Sequence, residues 1–165
     1  QKLIEAGHSR IGIILGPKDI FTSQQRLLGY QQAFIQNNQM PDDSLILFSD
    51  YTVQGGYESM NHLFEQTELS AVFVTNYEMT LGAIIAANER GIKIPEQLSF
   101  IGFDNLQLSQ VIRPKLTIVT QPLEEIGRHT AEILLEQLGK EPEKRKSQVV
   151  TLSASVQTGE SVLAK

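Results

Sequence analysis

The chain has 165 residues, 41% of them hydrophobic, and a net charge of -5. It is long enough for one domain or two small lobes with a buried core. The negative charge argues against nucleic-acid binding by the chain as a whole, because phosphate contacts need a surplus of lysine and arginine. The absence of cysteine excludes disulfides and thiolate catalysis, and the three histidines lack metal-ligand spacing. We expect neither a metal nor a cofactor.

Membranes and nucleic acids are both disfavoured as partners of this chain. It has neither an apolar run of about 18 residues nor a signal-peptide core, so we expect a cytoplasmic protein without a membrane partner. The one basic cluster, Lys144 to Lys146, lies in a polar stretch with Pro142 and two nearby glutamates. It is either a solvated loop or a nucleic-acid patch, and its composition favours the loop.

Short apolar runs alternate with longer amphipathic segments. The runs predict buried strands at 11–15, 45–48, 71–75 and 98–103. Helical spacing between the strands predicts three crossover helices, with apolar faces Leu27/Tyr30/Phe34, Val53/Tyr57/Met60/Phe64 and Leu81/Ile84/Ile85/Asn88. Strands that are apolar at nearly every position belong to a parallel sheet covered on both faces. The predicted fold class is α/β with a doubly wound parallel sheet.

The two ends of the chain depart from this alternation. A run at 116–120 leads into Pro122 and a last long helix, and 149–156 predicts a closing strand. Residues 2–5 before Gly7 have the pattern of the last turn of a helix, so we expect a fragment of a longer protein. A short disordered leader is the alternative.

Polar side chains follow three of the predicted strands. They are Ser49, Asp50 and Tyr51 after the second, Thr75, Asn76 and Tyr77 after the third, and Asp104 and Asn105 after the fourth. Ligands of open parallel sheets bind at the carboxyl ends of the strands. Carboxylate, amide and aromatic groups together suit a polyol, whose hydroxyls need polar partners and whose C–H face needs a ring.

Each of these residues also has an ordinary structural explanation. Asp104 and Asn105 could cap the short helix that follows them, and Asn76 could be a turn residue or an N-cap. Tyr51 could close a helix entry as an apolar side chain. Arg26, early in the first long helix, could be a surface arginine.

An ordered set of short motifs spans nearly the whole chain: Gly7-His8-Ser9-Arg10-Ile11-Gly12, Arg26 with Gly29-Tyr30, Gly56-Tyr57, Thr75-Asn76 with Met79 and Leu81-Gly82, 91–95, Ile101-Gly102-Phe103-Asp104, Leu116-Thr117, and Gln121-Pro122 with Gly127. Each string alone is weak evidence, but their order and spacing together are specific. With this pattern the chain resembles the effector-binding domain of LacI/GalR transcriptional repressors.

The resemblance implies a two-lobed fold similar to periplasmic sugar-binding proteins of type I, with an effector in the cleft between the lobes. Residues 8–118 and 148–158 would form mainly the C-terminal lobe. Residues 1–7 and 119–138 would belong to the N-terminal lobe. The DNA-binding headpiece that contacts operator DNA would be absent from this chain.

The resemblance also implies roles for four residues. Arg26 would grip effector hydroxyls or a carboxylate, and Asp104 would accept hydrogen bonds from the effector. Tyr51 would stack on it, and Asn76 would be a polar residue of the cleft. The chain departs from the family at Tyr77, where an aspartate is usual.

A second departure lies near the end of the chain. Gly159 stands where the family tends to carry an arginine two residues before a serine, here Ser161. A contact made by that arginine cannot be assumed for this chain.

In this family the segment after the pocket strand also helps to form a homodimer. Its apolar residues here are Leu106, Leu108, Val111 and Ile112. The alternative is that they pack inside the domain.

The leading functional hypothesis is a non-enzymatic, ligand-controlled repressor of the LacI type that binds a sugar-like effector. A sugar-binding protein of a transport system, with the same fold, is the alternative. Catalysis is disfavoured, because no nucleophile elbow, Walker loop or dinucleotide fingerprint occurs. The sequence leaves open whether the effector is a sugar, a sugar phosphate, a nucleoside, a purine or a protein.

Overall fold

A computed structural model describes residues 1–66, 68–104 and 106–165, with the backbone alone at positions 66, 106 and 108. The helices and strands in chain order are α1 Lys2–Glu5, β1 Ile11–Leu15, α2 Phe21–Gln36, β2 Ile46–Phe48, α3 Val53–Gln66, β3 Ala71–Val74, α4 Tyr77–Glu89, β4 Ser99–Phe103, α5 Leu106–Val111, β5 Thr117–Thr120, α6 Leu123–Leu138 and β6 Ser155–Gln157.

The strands form one sheet in the order β2-β1-β3-β4-β5-β6. Strands β1 to β5 run parallel, and β6 pairs with β5 in the antiparallel direction. This mostly parallel sheet between helices confirms the predicted α/β fold class.

Both faces of the sheet are covered, as the continuous apolar strands predict. In β1, Ile11, Ile13 and Leu15 join a core cluster with α1 and α2, whereas Ile14 joins the cluster that contains α3 and α4. The alternation follows from the two-residue period of a strand. Every residue of β1 is buried.

Helix α1 packs on this sheet. Its residues Leu3 and Ile4 are buried in the same cluster as Tyr30 and Phe34 of α2. Helix α1 is therefore part of the hydrophobic core on the α2 side of the sheet.

Helix α4 has a different buried surface from the predicted one. Ile84 is buried, but Ile85 is 37% exposed and Asn88 is exposed. The helix packs both on the sheet and against α3, so the small residues Gly82 and Ala83 and their neighbours are buried as well. The predicted apolar face therefore accounts for only part of the buried surface of α4.

The closing strand is shorter than predicted. Residues 149–154, which the structure describes, form no regular element, and β6 covers Ser155–Gln157 alone. The reason is its partner: β5 ends at Thr120, which pairs with Ser155, and the chain then turns away into Pro122.

Gly159 lies close against the backbone of Lys115 and Leu116, where a Cβ atom would overlap both. The backbone beside it is tied down by Ser161, whose hydroxyl donates to the Phe100 carbonyl at 2.6 Å. This packing explains the glycine, and it leaves no room for an arginine side chain in the present backbone.

Within the described residues, no helix is both long and apolar enough to cross a membrane.

Candidate functional site

A cavity of about 550 Å³ opens at the carboxyl edge of the sheet. We call it the edge pocket. All four predicted effector residues line it. Its full lining is Thr22, Arg26, Tyr51, Thr75, Asn76, Tyr77, Glu78, Phe103, Asp104 and Gln121.

Arg26 is directed into the edge pocket from the second turn of α2. Its Nη1 donates to the carbonyl of Thr75 at 2.8 Å, and its guanidinium lies 4.2 Å from the centre of the Phe103 ring. Burial lowers the pKa of Arg26, while the nearby Tyr51 and Asp104 act in the opposite direction. The group remains a cation at neutral pH, because an arginine does not deprotonate in proteins. Arg26 is therefore a fixed cation in the pocket and not a free surface residue.

Asp104 directly follows β4. Its φ of 53° lies in the left-handed region, which is unfavourable for residues with a Cβ atom. Its amide donates to the carbonyl of Val119 at 2.7 Å. Its Oδ2 accepts from Nε2 of Gln121 at 2.8 Å, and its Oδ1 accepts from the Gln121 amide at 3.2 Å. The carboxylate is thus held in one orientation at the wall of the pocket.

Tyr51 is the second pocket residue with a left-handed backbone, with φ 64°. Its ring packs directly against Gly16, where any Cβ atom would overlap it. Its hydroxyl is hydrogen-bonded with Ser23 Oγ at 2.7 Å and lies 3.3 Å from Thr22 Oγ1. The ring is therefore fixed against the β1–α2 turn before any ligand arrives.

Asn76 is the N-cap of α4, which confirms the structural alternative for this residue. Its Oδ1 accepts from the amide of Met79 at 2.9 Å, and its Nδ2 donates to Oε2 of Glu78 at 2.7 Å. Its side chain also lines the edge pocket. These bonds use one of the two lone pairs of Oδ1 and one of the two hydrogens of Nδ2, so the other lone pair and hydrogen remain for a ligand.

Sequence reasoning missed Gln121, Phe103 and Glu78 as pocket residues. Gln121 follows β5, so reading the carboxyl end of the fifth strand like the other three would have found it. Phe103 looked like a core residue, and Glu78 had no signal beyond its place in the first turn of a helix.

The predicted dimer residues fall into two groups. Val111 is 76% exposed, whereas Ile112 packs against the main core cluster. The side chains of Leu106 and Leu108, together with Asn105, lie outside the described residues.

Outside the pocket, Lys144 to Lys146 are exposed in the loop that follows α6, as a solvated loop requires. Over residues 1–66, 68–104 and 106–165, no group of three histidine or carboxylate side chains could hold a metal ion.

A parallel sheet with a polar pocket at its carboxyl edge defines a ligand-binding domain of the α/β class. Residues 1–162 match the periplasmic binding protein-like domain family. The chain belongs to this family.

The sequence relatives of the chain include a transcriptional repressor. The HTH-type transcriptional repressor CytR of Escherichia coli (strain K12) is 42% identical over 137 residues, which cover 82% of this chain and 40% of that protein. Catabolite control protein A of Priestia megaterium is 37% identical over 143 residues, or 86% of this chain and 43% of that protein. The chain thus spans about 40% of the length of these relatives.

Solved structures of transcriptional regulators also resemble this chain. A LacI family transcriptional regulator from Mycobacterium smegmatis superposes with a TM-score of 0.90 at 27% identity, covering 99% of this chain and 60% of that one. The transcriptional regulator CelR in complex with cellobiose gives 0.89 at 30% identity, covering 97% and 49%. The resemblance to LacI-type regulators is confirmed.

Proposed function

We propose that this chain is the effector-sensing domain of a LacI-type transcriptional repressor and that a small, hydroxyl-rich, sugar-like molecule binds in the edge pocket. The observation that carries the proposal is the convergence of Arg26, Tyr51 and Asp104 on one cavity at the carboxyl edge. The names of the relatives support a repressor, and the cellobiose bound to CelR supports a sugar.

The pocket groups suit such a ligand chemically. Asp104 accepts hydrogen bonds from neighbouring hydroxyls, and Arg26 supplies donors in a fixed fork. The rings of Tyr51 and Phe103 offer apolar surface to the C–H face of a sugar. Arg26 is kept in place by Thr75 and Phe103, so little ordering is needed on binding.

A second lobe would close the pocket from the side of α6. Among the residues of α6, all of which the structure describes, none is buried, and Leu134, Leu135 and Leu138 are 56%, 70% and 60% exposed. An apolar face of this size needs a partner surface. We assign α6 to that second lobe. Residues 119 and 120, which pair in β5, and residues 1–7, whose helix α1 packs on the sheet, we assign to the lobe described here.

In the whole protein, effector binding would shift the population of closed lobes and thereby the affinity of a separate headpiece for operator DNA. Such a regulator works as a homodimer in the cytoplasm and catalyses no reaction. The relative CytR is a transcriptional repressor, which favours this function over a transport binding protein.

The test is a calorimetric titration of the protein with cellobiose, ribose, glucose 6-phosphate and adenosine. We expect a sugar to bind and Asp104→Ala to weaken it by about 100-fold, because two charge-assisted hydrogen bonds are lost. Asp43→Ala, an exposed aspartate on the β2 side of the sheet, is the matched control. Full affinity in Asp104→Ala would refute the site.

A further inference from the structure

Gln121 is the residue through which the edge pocket contacts the start of α6. It follows β5 directly and lines both the edge pocket and a neighbouring cavity of about 450 Å³ along α6. Its carbonyl accepts from the amide of Leu123 at 2.9 Å, and Pro122, the N-cap of α6, comes next in the chain. A shift of the Gln121 backbone therefore moves the first turn of α6.

The same residue holds both oxygens of the Asp104 carboxylate, through its side-chain amide at 2.8 Å and its backbone amide at 3.2 Å. A carboxylate has about four lone-pair sites, so an effector hydroxyl can still donate to Asp104 beside the glutamine. A neutral amide suits this place, because a cationic side chain would bind the carboxylate more strongly and compete with the effector.

We propose that Gln121 is a positioning residue that orients the Asp104 carboxylate toward the effector and transmits a change in the hydrogen bonding of Asp104 to α6. This inference rests on the proposed function, since it takes Asp104 as the acceptor for the effector. When an effector changes the hydrogen bonds of the Asp104 carboxylate, the change acts on the Gln121 side chain. It then reaches α6 through Pro122, the next residue in the chain.

A double-mutant cycle on the effector-free protein tests the link. Gln121→Met removes the side-chain donor at similar length, and Asp104→Ala removes the carboxylate that accepts from it. We expect each variant to raise the hydrogen-exchange rates of the Ile126 and Gly127 amides about fivefold, and the double variant to raise them no further. Both changes break the same link, so their effects should not add.

Gln32→Met, an exposed position on α2, is the matched control and should leave α6 unchanged. Additive effects of the two pocket variants, or unchanged exchange in α6, would overturn the proposal.

Gln121→Glu separates positioning from simple packing. At about pH 5 a protonated glutamate can donate to Asp104 as the amide did, whereas at about pH 8 the two carboxylates repel each other. Among the residues that the structure describes, the other ionisable groups lining the two cavities are Arg26, Tyr51, Tyr77, Glu78 and His129. These groups are also present in the wild-type protein. Comparison with the wild-type hydrogen-exchange rates over the same pH range therefore removes their contribution.

We expect Gln121→Glu to match the wild-type exchange of α6 at the lower pH and to exchange at least as fast as Gln121→Met at the higher pH, because repulsion adds to the lost hydrogen bond. If the hydrogen-exchange rates of α6 in Gln121→Glu depend on pH as they do in the wild-type protein, the proposal is wrong. Neither experiment measures effector binding, so either can fail while the Asp104→Ala titration succeeds.

Discussion

Tyr51 and Asp104 face the edge pocket with their backbones in the left-handed region. A non-glycine residue held there costs on the order of 1–3 kcal/mol, which the surroundings must offset. Ser23 holds the Tyr51 hydroxyl and Gln121 holds the Asp104 carboxylate. Both pocket side chains are thus fixed by residues that are not themselves expected to carry the ligand.

Tyr51→Phe tests this support at the level of one atom. The change removes the partner of the Ser23 hydroxyl, which is fully buried, and we expect it to lower the free energy of unfolding by about 1–2 kcal/mol. Urea denaturation measures the loss. Tyr57→Phe is the matched control, because its hydroxyl also has a partner, Glu89 at 2.7 Å, but in an exposed position. Equal losses in the two variants would contradict the prediction.

His8 makes the stability depend on pH. It is 2% exposed, its Nδ1 is hydrogen-bonded with Ser70 Oγ at 2.9 Å, and its Nε2 is hydrogen-bonded with the carbonyl of Leu163 at 3.0 Å. Burial lowers the pKa of His8 below its ordinary value of 6.5. The unfolded chain therefore takes up a proton that the folded chain refuses, so the contribution of His8 is complete above pH 6.5 and is lost as the pH falls below it.

Melting temperatures of the wild-type protein and of His8→Gln between about pH 8 and pH 5 measure this contribution. We expect the wild-type value to fall more steeply on acidification than that of His8→Gln. His62→Gln, at an exposed histidine, should retain the wild-type slope. Parallel curves for wild type and His8→Gln would show that His8 is not responsible.

Helices α3 and α4 approach each other at backbone distance, and two glycines make this possible. A Cβ atom on Gly82 would overlap the carbonyl of Val53, and one on Gly56 would overlap the backbone of Met79. The contact brings the N-terminal part of α4 against α3, just after the Asn76 cap at the pocket. The glycines thus serve helix packing that supports one wall of the site.

Gly82→Ala should therefore destabilise the fold by about 2 kcal/mol or more, because the backbones must separate to accept the methyl group. Gly29→Ala is the matched control: no described atom lies within 4 Å of its Cβ position, in the middle of α2. There alanine should stabilise by about 0.5–1 kcal/mol through its higher helix propensity. Thermal denaturation distinguishes the two, and a neutral Gly82→Ala would mean that the helices can separate freely.

Four strands and their crossover helices were predictable, since continuous apolar runs and helical spacing are local patterns. The set of buried residues in α4 was not predictable, because it depends on how closely α3 approaches. The length of β6 was not predictable either, since an edge strand extends only as far as its neighbour. Arg26, Tyr51, Asn76 and Asp104 meet at one pocket as predicted. The N-cap role of Asn76 was a stated alternative and uses neighbouring residues, whereas the partner of Asp104, Gln121, is distant in sequence and could not be predicted.

Across the whole molecule, the edge pocket adjoins the cavity along α6, which Ile126, His129, Thr130 and Ile133 line on the helix side. Arg26, Phe103 and Gln121 line both cavities. A second lobe that filled the cavity along α6 would therefore also border the edge pocket. Closure over the effector and burial of α6 would then be parts of the same event, which is how ligand binding can stabilise one arrangement of two lobes.

The proposed homodimer can be tested without damaging the fold. Ile112 packs against the core, so a charge there would unfold the domain, whereas Val111 is 76% exposed beside it. If the α5 segment forms the interface, Val111→Asp should lower the mass in sedimentation equilibrium from dimer to monomer, because a buried, unpaired carboxylate is costly. Met40→Asp, at a position 81% exposed on the α2–β2 connection, should leave the mass unchanged. An unaltered dimer in Val111→Asp, with Met40→Asp behaving as wild type, would place the interface elsewhere.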